Sequence, residues 1–317
     1  MKECYKTISL ISVIIMVLLF VTGTTYAGKP SGITIVTGVT KGSWFPIGAI
    51  VADIFNKAGG KASAEPGGGV GNIYAVSMKK AELGITTSNL PAMARAGTPP
   101  FKKPADGFLG FCFLFPNFEH IIVHKSANIE TVADLKGKRF ASQRLNTSSQ
   151  VVFSDVLWAY GLSEADLKIT RGSQGEGVEL MKDRQVVGQT AITAPPSAAF
   201  VEVHTMLKVK VLPLSEDMVS KLIQKNSGYV RSVLPKGTYP TQDQDVLGIG
   251  SDAILVVQED MPEDEVYWMA KTLIENISEL RKAHATMKNL TVKQLSTVAG
   301  LKLHPGAARA FKEALGK

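Results

Sequence analysis

Apolar positions along the chain follow two alternating patterns from residue 33 onward. The first segment, Ile33 to Val36, is a short run rich in β-branched residues, which is typical of a buried strand. In the next segment, apolar residues recur three and four positions apart, which predicts one apolar face of an α-helix. That face contains Ile47, Ile50, Val51, Ile54 and Phe55. Pro46 suits the first helical turn and Gly59 ends the pattern, so the two segments predict a strand, a turn and a helix.

The same alternation of strand and helix patterns continues to the C-terminus. Further strands are predicted at LGITT, HIIVHK, RFASQ, LKIT, QTAIT, KVKVLPL and AILVV. The longest helical pattern is MPEDEVYWMAKTLIENISELRKAH, with Pro262 and acidic residues early and Arg281 and Lys282 late. This alternation predicts an α/β fold with mostly parallel sheets.

The order of these elements predicts two α/β lobes between which the chain crosses more than once. We expect residues 28–118 and a C-terminal return over 250–317 to form lobe 1, and residues 119–249 to form lobe 2. Two such lobes enclose a cleft at the carboxyl ends of their strands, where open α/β sheets bind ligands. A cleft of this kind closes by a hinge motion when a ligand fills it.

Residues 1–27 have the pattern of a secretory signal peptide. Lysines precede an apolar run from Ile8 to Val21, and Thr25 and Ala27 stand at positions −3 and −1 of a cleavage point. The alternative is an uncleaved membrane anchor, but the run is shorter than the ~20 residues of a typical span. We therefore expect an exported protein that begins at residue 28.

Composition and charge narrow the classes of partner. After removal of residues 1–27, Cys112 is the sole cysteine, so no intramolecular disulfide forms, and its flanks in LGFCFLF predict a buried thiol. The full chain has a formal net charge of +7, but its basic clusters are scattered and not interleaved with aromatic residues. This pattern argues against a nucleic-acid partner and leaves anionic surfaces and acidic small ligands.

Several motifs, taken in their order and spacing, resemble a known family. They are GSWFPIG, GGGVGNIYAV, AELGITTSN, HIIVHKSANIETVADLKGKRF, LPKGTYPTQDQDV, ENISELRKAH and LHPGAARAFKE. Over essentially the whole mature part, the chain resembles the TAXI family of solute receptors associated with TRAP transporters. The resemblance implies an α/β, two-lobed periplasmic binding protein fold (type II-like) with a hinge and an interlobe ligand cleft.

The function that this resemblance implies is solute capture in the periplasm. Such a receptor binds a small organic anion, a glutamate-like amino acid or a dicarboxylate, and delivers it to a sodium-driven TRAP-type permease. We accordingly expect a monomer with no cofactor, no metal and no nucleic-acid partner. Departures from the family pattern at Lys41, at Thr87 to Asn89 and at Asn146 to Ser149 mean that the ligand itself is not implied.

The turns of the first lobe supply candidate ligand-binding residues. Lys41 would neutralise a ligand carboxylate beside the helix start, or else be a solvated surface lysine. Ser43 offers a hydroxyl, and Trp44 would cover an apolar or planar part of the ligand unless it packs on the helix. In the glycine loop, Gly69 lets backbone amides approach an anion and Asn72 opens a helix, although an ordinary capped turn would use the same residues.

Further candidates follow strand ends in both lobes. Ser88 and Asn89 offer hydroxyl and amide groups, with helix capping as the alternative for Ser88. In the second lobe, Arg144 would clamp a carboxylate with two hydrogen bonds, or else form a surface salt bridge. The remaining candidates in the second lobe are Asn146, Thr147, Ser148 and Pro195. Such a cleft presents positive charge and donors, which favours an anionic ligand.

Enzymatic and sensing functions are the alternatives. The sequence has no Gly-x-Ser-x-Gly motif and no paired carboxylates at turn positions. His120 and His124 lie on one predicted strand roughly 13 Å apart, too far to share a metal, so each is expected to be structural. Catalysis by Cys112 would need an exposed thiol, so we expect no enzymatic activity. A ligand-sensing partner of a signalling receptor is compatible with every residue above.

Overall fold

The computed structural model describes residues 28–38, 44–145 and 147–316. The predicted signal peptide and the candidate site residues Lys41, Ser43 and Asn146 lie outside these ranges. The strands are β1 (Ile33–Val36), β2 (Ala62–Glu65), β3 (Leu83–Thr87), β4 (Phe108–Phe115), β5 (Phe118–His124), β6 (Arg139–Gln143), β7 (Lys168–Gly172), β8 (Gly188–Thr193), β9 (Val209–Val211), β10 (Val230–Leu234), β11 (Val246–Gly250) and β12 (Ala253–Gln258). The α-helices are α1 (Trp44–Lys57), α2 (Gly69–Ser77), α3 (Leu90–Ala96), α4 (Ser148–Ala159), α5 (Gln174–Lys182), α6 (Ala198–Met206), α7 (Glu216–Lys225), α8 (Glu263–Glu275), α9 (Ile277–Ala283), α10 (Val292–Leu295) and α11 (Pro305–Ala314).

The first sheet has five strands in the order β2-β1-β3-β12-β4. β1 lies parallel to β2 and β3, whereas β12 is antiparallel to β3 and β4. One face packs against α1 and the C-terminal helices α8 and α11, in a core that includes Phe55 and Leu255. The other face packs against α2 and α3, in a core that includes Ile73 and Ile254. Neighbouring residues of β12 thus enter opposite cores, as strand geometry requires.

The second sheet has the order β10-β11-β5-β8-β6-β7, and β9 pairs with β5. Helices α4 and α7 cover one face, with Phe153 and Leu222 in the core, and α5 and α6 cover the other, with Met181 and Phe200. The described residues therefore form two lobes, each a sheet with helices on both faces. This architecture confirms the predicted two-lobed α/β fold class.

Both sheets are mixed, so the prediction of mostly parallel sheets is wrong. The antiparallel pairs involve β5, β11 and β12. These are the strands through which the chain enters or leaves a lobe. A strand that returns to a lobe runs opposite to the strand by which the chain left it. The apolar pattern of a single segment does not reveal this change of direction.

The chain passes between the two sheets at two adjacent places. It runs through Pro116 and Asn117 between β4 and β5, and through Ser251 and Asp252 between β11 and β12. The Asn117 Nδ2 donates to the Ser251 carbonyl oxygen (3.0 Å), and β11 pairs with β5 at this point. The two crossings therefore form one narrow, hydrogen-bonded connection.

Two helices begin at hydroxyl caps, and one predicted helix is interrupted. Thr147 and Ser215 cap α4 and α7 by accepting a hydrogen bond from the backbone N–H three residues further on. The longest helical pattern forms two helices, since α8 ends before Asn276 and α9 begins after it. The Asn276 amide donates to the Thr272 carbonyl oxygen (2.9 Å), and such side-chain bonds compete with the helical backbone.

Candidate functional site

A cavity of about 170 Å³ lies between the two lobes. Its lining residues are Trp44, Thr87, Asn117, Thr147, Ser148, Ser149, Ile192 and Thr193. They come from the start of α1, the carboxyl end of β3, the first crossing, the start of α4 and the carboxyl end of β8. The cavity therefore lies at the strand ends where open α/β sheets bind ligands.

The two lobes touch directly at this cavity. The Thr87 Oγ1 of lobe 1 lies 2.7 Å from the Ser148 Oγ of lobe 2. A hydrogen bond of this length joins the end of β3 to the first turn of α4. The cleft is thus closed over the cavity in this structure.

Trp44 lines the first-lobe side of the cavity, whereas Gly69 lies next to Trp44 and is not among the lining residues. Trp44 is half-buried at the start of α1. A Cβ at Gly69 would lie 3.2 Å from Leu90 Cδ1 and 3.7 Å from the Trp44 Cη2. Gly69, at the start of α2, therefore lies beside the indole, and an added side chain there would be tight against Leu90.

Asn72 holds the backbone around the cavity instead of facing a ligand. Its side chain is buried, and its Nδ2 donates to the carbonyl oxygens of Thr37 and Ile85, both at 2.6 Å. Its Oδ1 accepts from the Gly68 N–H (3.0 Å). Both amide protons are already donated, so the ligand contact predicted for Asn72 is replaced by a role that ties β1, β3 and the glycine loop together.

Ser88 also differs from its predicted role, because it joins the lobes behind the cavity. Its buried Oγ donates to the Gly228 carbonyl oxygen of lobe 2 and accepts from the Asp252 N–H (2.9 Å). Beside it, the Asn226 Nδ2 donates to the Asn89 carbonyl oxygen (2.9 Å). These bonds form a second contact between the lobes, which we call the 226–228 turn contact. Ser88 neither lines the cavity nor caps α3.

Asn89 is fully buried directly behind Thr87 and Ser148. Its Oδ1 accepts from the Thr87 Oγ1 (2.8 Å) and from the Ser251 Oγ (2.7 Å), and the Ser148 Oγ lies 3.4 Å away. Asn89 is therefore not a lining residue. It bonds to groups of the cavity wall and of the second crossing at the same time.

The second lobe brings Thr147 and Ser148 to the cavity but not Arg144 or Pro195. The Arg144 side chain is 71% exposed and lies 3.7 Å from the Glu176 carboxylate, which is the surface salt bridge of the alternative prediction. Its backbone carbonyl accepts from the Thr147 hydroxyl (2.8 Å), which places the residue at the outer end of the turn. Pro195 is half-buried in the turn after β8 and is not among the lining residues. The structure therefore places Arg144 in the surface salt bridge of the alternative and outside the described lining of the cavity.

A model of the NMT1-like family matches residues 35–314, which is most of the chain. The chain belongs to the NMT1-like family.

Three solved structures show the similarity of the fold. The NMT1-like chain is similar to the periplasmic sulfonate-binding protein SsuA from Methylobacillus flagellatus, at 14% identity and a TM-score of 0.52, over 84% of this chain and 73% of that chain. It is similar to a protein from Xanthomonas citri bound to ATP, at 9% identity and a TM-score of 0.55, over 90% of this chain and 95% of that one. The aliphatic sulphonate binding protein SsuA from Escherichia coli matches at 17% identity and a TM-score of 0.49, over 91% of both chains. Identities this low establish the fold alone.

Over 28–38, 44–145 and 147–316, the NMT1-like protein has no helix that is both long enough and apolar enough to span a bilayer.

Five lining residues were not among the predicted site residues. Thr87 was recognised only as part of a turn, and Asn117, Ser149, Ile192 and Thr193 were not singled out. Thr193 ends the predicted strand QTAIT, so the rule that ligands meet carboxyl strand ends identifies it. Asn117 lies in the first crossing, and the rule that a crossing between lobes borders the cleft would have found it.

The described lining is mostly polar and carries no charged side chain, but an acid is buried behind it. Glu119 follows Asn117 on β5 and pairs with the lining residue Ile192. Burial raises the pKa of Glu119 to about 8, and the Thr190 hydroxyl donates to its carboxyl group. Burial likewise raises the pKa of Asp252, at the second crossing, to about 7. The NMT1-like protein therefore keeps Glu119 largely protonated at pH 7.

Cys112, His120 and His124 have structural surroundings. Cys112 is buried, as predicted, and burial raises the pKa of its thiol. The His120 Nε2 bonds to the Tyr239 hydroxyl (2.8 Å), and burial lowers the pKa of His120 to about 3. The His124 Nε2 bonds to the Met181 carbonyl oxygen (3.1 Å). Both histidines lie on β5, as predicted, and serve the core of lobe 2.

A larger cavity of about 290 Å³ lies wholly in lobe 2, with His204 among its lining residues. Part of its charge is already used within the lobe, since Lys210 lies 2.6 Å from Glu130, and Asp245 accepts from the Lys236 backbone N–H (2.7 Å). A cavity within one lobe also gains nothing when the lobes close. The interlobe cavity is therefore the candidate site of this NMT1-like protein.

Proposed function

We propose that this NMT1-like protein is an extracytoplasmic, periplasmic solute-binding receptor of the TAXI type. It captures a small organic anion, a glutamate-like amino acid or a dicarboxylate, and delivers it to a sodium-driven TRAP-type permease. The predicted signal peptide accounts for export, and the receptor acts as a monomer without a cofactor.

The observation that carries this proposal is the closed cavity at the strand ends of two lobes. The hydrogen bond between Thr87 of lobe 1 and Ser148 of lobe 2 joins the two lobes at this cavity. Its volume of about 170 Å³ suits a small solute, since a cavity of about 150 Å³ holds a molecule of the size of benzene. Enclosure of a small solute between two hinged lobes is the work of a receptor that later opens to release it.

The start of α4 supports an anionic ligand. Thr147, Ser148 and Ser149 all line the cavity, so the N-terminal turn of this helix borders it. The N-terminal end of a helix favours negative charge. Lys41 keeps its proposed role as a carboxylate partner, whereas Arg144 is exposed and paired and lends no support.

The site favours binding over catalysis. Burial keeps the Cys112 thiol away from the cleft, and burial lowers the pKa of His120 far below neutrality. None of the eight lining residues is a histidine, a cysteine or a carboxylate, so the hydroxyl groups of the lining have no general base among their neighbours there. The receptor function therefore agrees better with these residues than an enzymatic one.

Binding is tested by thermal unfolding of the purified exported protein with dicarboxylates, acidic amino acids, neutral amino acids and sugars. A cognate solute at one hundred times its dissociation constant should add about 2.7 kcal/mol of stability. We expect the unfolding midpoint to rise with one or more of the carboxylates and to stay constant with sugars, which act as the control. A rise with sugars alone would contradict the anionic ligand.

Delivery is tested by solute uptake in cells that lack this chain and in cells to which it is restored. We expect uptake to require the chain and to collapse when the sodium gradient is dissipated. Uptake that persists without sodium but stops without ATP would contradict the TRAP-type permease and leave solute capture intact.

A further inference from the structure

Asn89 holds an amide oxygen whose two lone pairs are both filled by hydroxyl groups. The Thr87 Oγ1 donates to it from the cavity wall (2.8 Å), and the Ser251 Oγ donates to it from the second crossing (2.7 Å). An amide oxygen only accepts hydrogen bonds, so both hydroxyl protons point at Asn89.

The surroundings of Asn89 agree with this orientation of its amide. The Nδ2 is on the side of Tyr229, without reaching hydrogen-bond distance of an acceptor among the described residues. The Tyr229 hydroxyl donates its proton to the Asp155 carboxylate (2.7 Å), so its oxygen offers the amide a lone pair and no proton. An Asn89 turned the other way would place its oxygen against that lone pair.

The direction of the Thr87 proton decides the direction of the Ser148 proton. The two hydroxyl oxygens lie 2.7 Å apart, which requires one proton between them. The single proton of Thr87 is donated to Asn89, so Ser148 supplies the proton of this bond. Thr87 and Ser148 therefore turn only lone pairs toward the cavity.

The neighbouring hydroxyls behave in the same way. Thr147 donates to the Arg144 carbonyl oxygen (2.8 Å), and Ser149 donates to the Ile192 carbonyl oxygen (3.5 Å). Of the five hydroxyl side chains that line the cavity, four thus donate their protons to protein atoms. The fifth belongs to Thr193.

We propose that Asn89 is a positioning residue that makes this wall of the cavity a hydrogen-bond acceptor, so that the ligand group seated against Thr87 and Ser148 carries an N–H or O–H donor. This inference rests on the proposed function and narrows its ligand class. A carbonyl or ether oxygen at the same place would face hydroxyl lone pairs and leave its own unmatched, and unmatched polar groups in closed sites reduce affinity strongly.

The experiment compares three probes that differ at one carbon atom: L-glutamate, L-2-hydroxyglutarate and 2-oxoglutarate. They place an amino, a hydroxyl or a carbonyl group beside the same two carboxylates. We expect isothermal titration of the exported protein to show at least tenfold tighter binding of each donor probe than of 2-oxoglutarate. Binding of 2-oxoglutarate that is as tight as that of L-glutamate would overturn the inference and leave the receptor function standing. Failure of all three probes to bind would contradict the proposed ligand class itself, and this inference with it.

Variants separate positioning from simple support of the fold. In Asn89→Ala the hydroxyl protons are free to turn into the cavity. The ratio of the affinity for L-glutamate to the affinity for 2-oxoglutarate should therefore fall toward one. Asn89→Asp keeps the accepting oxygen and should keep the ratio. Ser148→Ala removes one acceptor and should lower the ratio several-fold even if Asn89→Ala does not fold. Ser154→Ala, on the same helix but bonded to Glu164, is the control and should change neither affinity. An unchanged ratio in both Asn89→Ala and Ser148→Ala would overturn the proposal.

Discussion

Two asparagines near the cavity act on neighbouring protein groups at the residue scale. Asn72 joins the carbonyl oxygens of Thr37, after β1, and Ile85, within β3, to the glycine loop, and Asn89 joins Thr87 to the second crossing. Both side chains are buried. An amide suits such positions because it donates and accepts without carrying a charge that burial would penalise.

Replacement of Asn72 should destabilise the fold. In Asn72→Ala, the buried carbonyl oxygens of Thr37 and Ile85 lose their donor, and each unsatisfied buried group costs about 1–3 kcal/mol. We expect urea denaturation to show a loss of at least about 1 kcal/mol in the free energy of unfolding. The exposed Asn289 provides the control, and Asn289→Ala should stay within about 0.5 kcal/mol of the wild type. Equal stabilities of the two variants would contradict the role of Asn72.

The buried Glu119 should make stability fall as the pH rises. Its pKa is raised from 4.5 to about 8 by burial, so between these values the folded protein holds a proton that the unfolded chain has lost. The free energy of unfolding then decreases by up to about 1.4 kcal/mol per pH unit. We expect chemical denaturation between pH 6.5 and 8 to show this decrease, and Glu119→Gln to reduce it.

Two histidines act in the opposite direction at lower pH. Burial lowers the pKa of His120 to about 3 and that of His204 to about 4, so both cost stability as the pH falls below 6.5. The range above pH 6.5 therefore excludes the two histidines and leaves Glu119 together with Asp252, whose pKa burial raises to about 7 and which acts in the same direction. Exposed Glu65 supplies the control, since Glu65→Gln removes a carboxylate that water solvates in both states. A decrease that survives in Glu119→Gln would show that another group causes it.

Local sequence patterns predicted the elements better than their ends and partners. The strand at Ile33 to Val36 and the helix after it appear as expected, because burial periodicity is a property of one segment. The break at Asn276 was missed because apolar periodicity continues through it while its side chain bonds to the backbone. The order of strands in each sheet depends on contacts between distant segments, which no single segment encodes.

In the site, too, the sequence predicted the positions of residues better than their contacts with distant segments. Trp44, Thr147 and Ser148 stand at element ends that the sequence locates, and the structure places all three at the cavity. Ser88 stands at an equivalent end, but its hydroxyl is taken by a carbonyl oxygen 140 residues away in sequence. The side chain of Arg144 turns outward to Glu176. A strand end locates a residue near the cleft, whereas tertiary partners decide which way its side chain points.

At the scale of the whole molecule, two contacts hold the lobes closed: the Thr87–Ser148 hydrogen bond at the cavity and the 226–228 turn contact. In the second, the chain at Gly228 lies so close to lobe 1 that an added Cβ would overlap the Ser88 carbonyl oxygen and lie 2.7 Å from the Asn89 Cα. Gly300, in the C-terminal return, also packs against Gly228. A Cβ added to Gly300 would lie 3.0 Å from the Gly228 Cα. Gly228 therefore sets how near the lobes come.

The substitution Gly228→Ala should hold the lobes apart. The added methyl group cannot be placed without moving backbone on one side, so closure over the cavity becomes unfavourable. We expect at least tenfold weaker binding of the cognate solute and a larger radius of gyration in small-angle X-ray scattering. Gly175→Ala is the matched control, because an added Cβ there meets nothing within 4 Å. Wild-type affinity and dimensions in Gly228→Ala would contradict the part assigned to this contact.

The side-by-side crossings also bear on how such a molecule can be rebuilt. The Asn117 side chain and the Ser251 backbone are one hydrogen bond apart, so the whole second lobe leaves and rejoins the first at nearly the same point. In the language of gene fusion, that lobe is an insertion with adjacent ends, the arrangement in which one module can be exchanged for another. A chimera with the second lobe of a relative would need two junctions that lie side by side, and its selectivity would report which lobe chooses the solute.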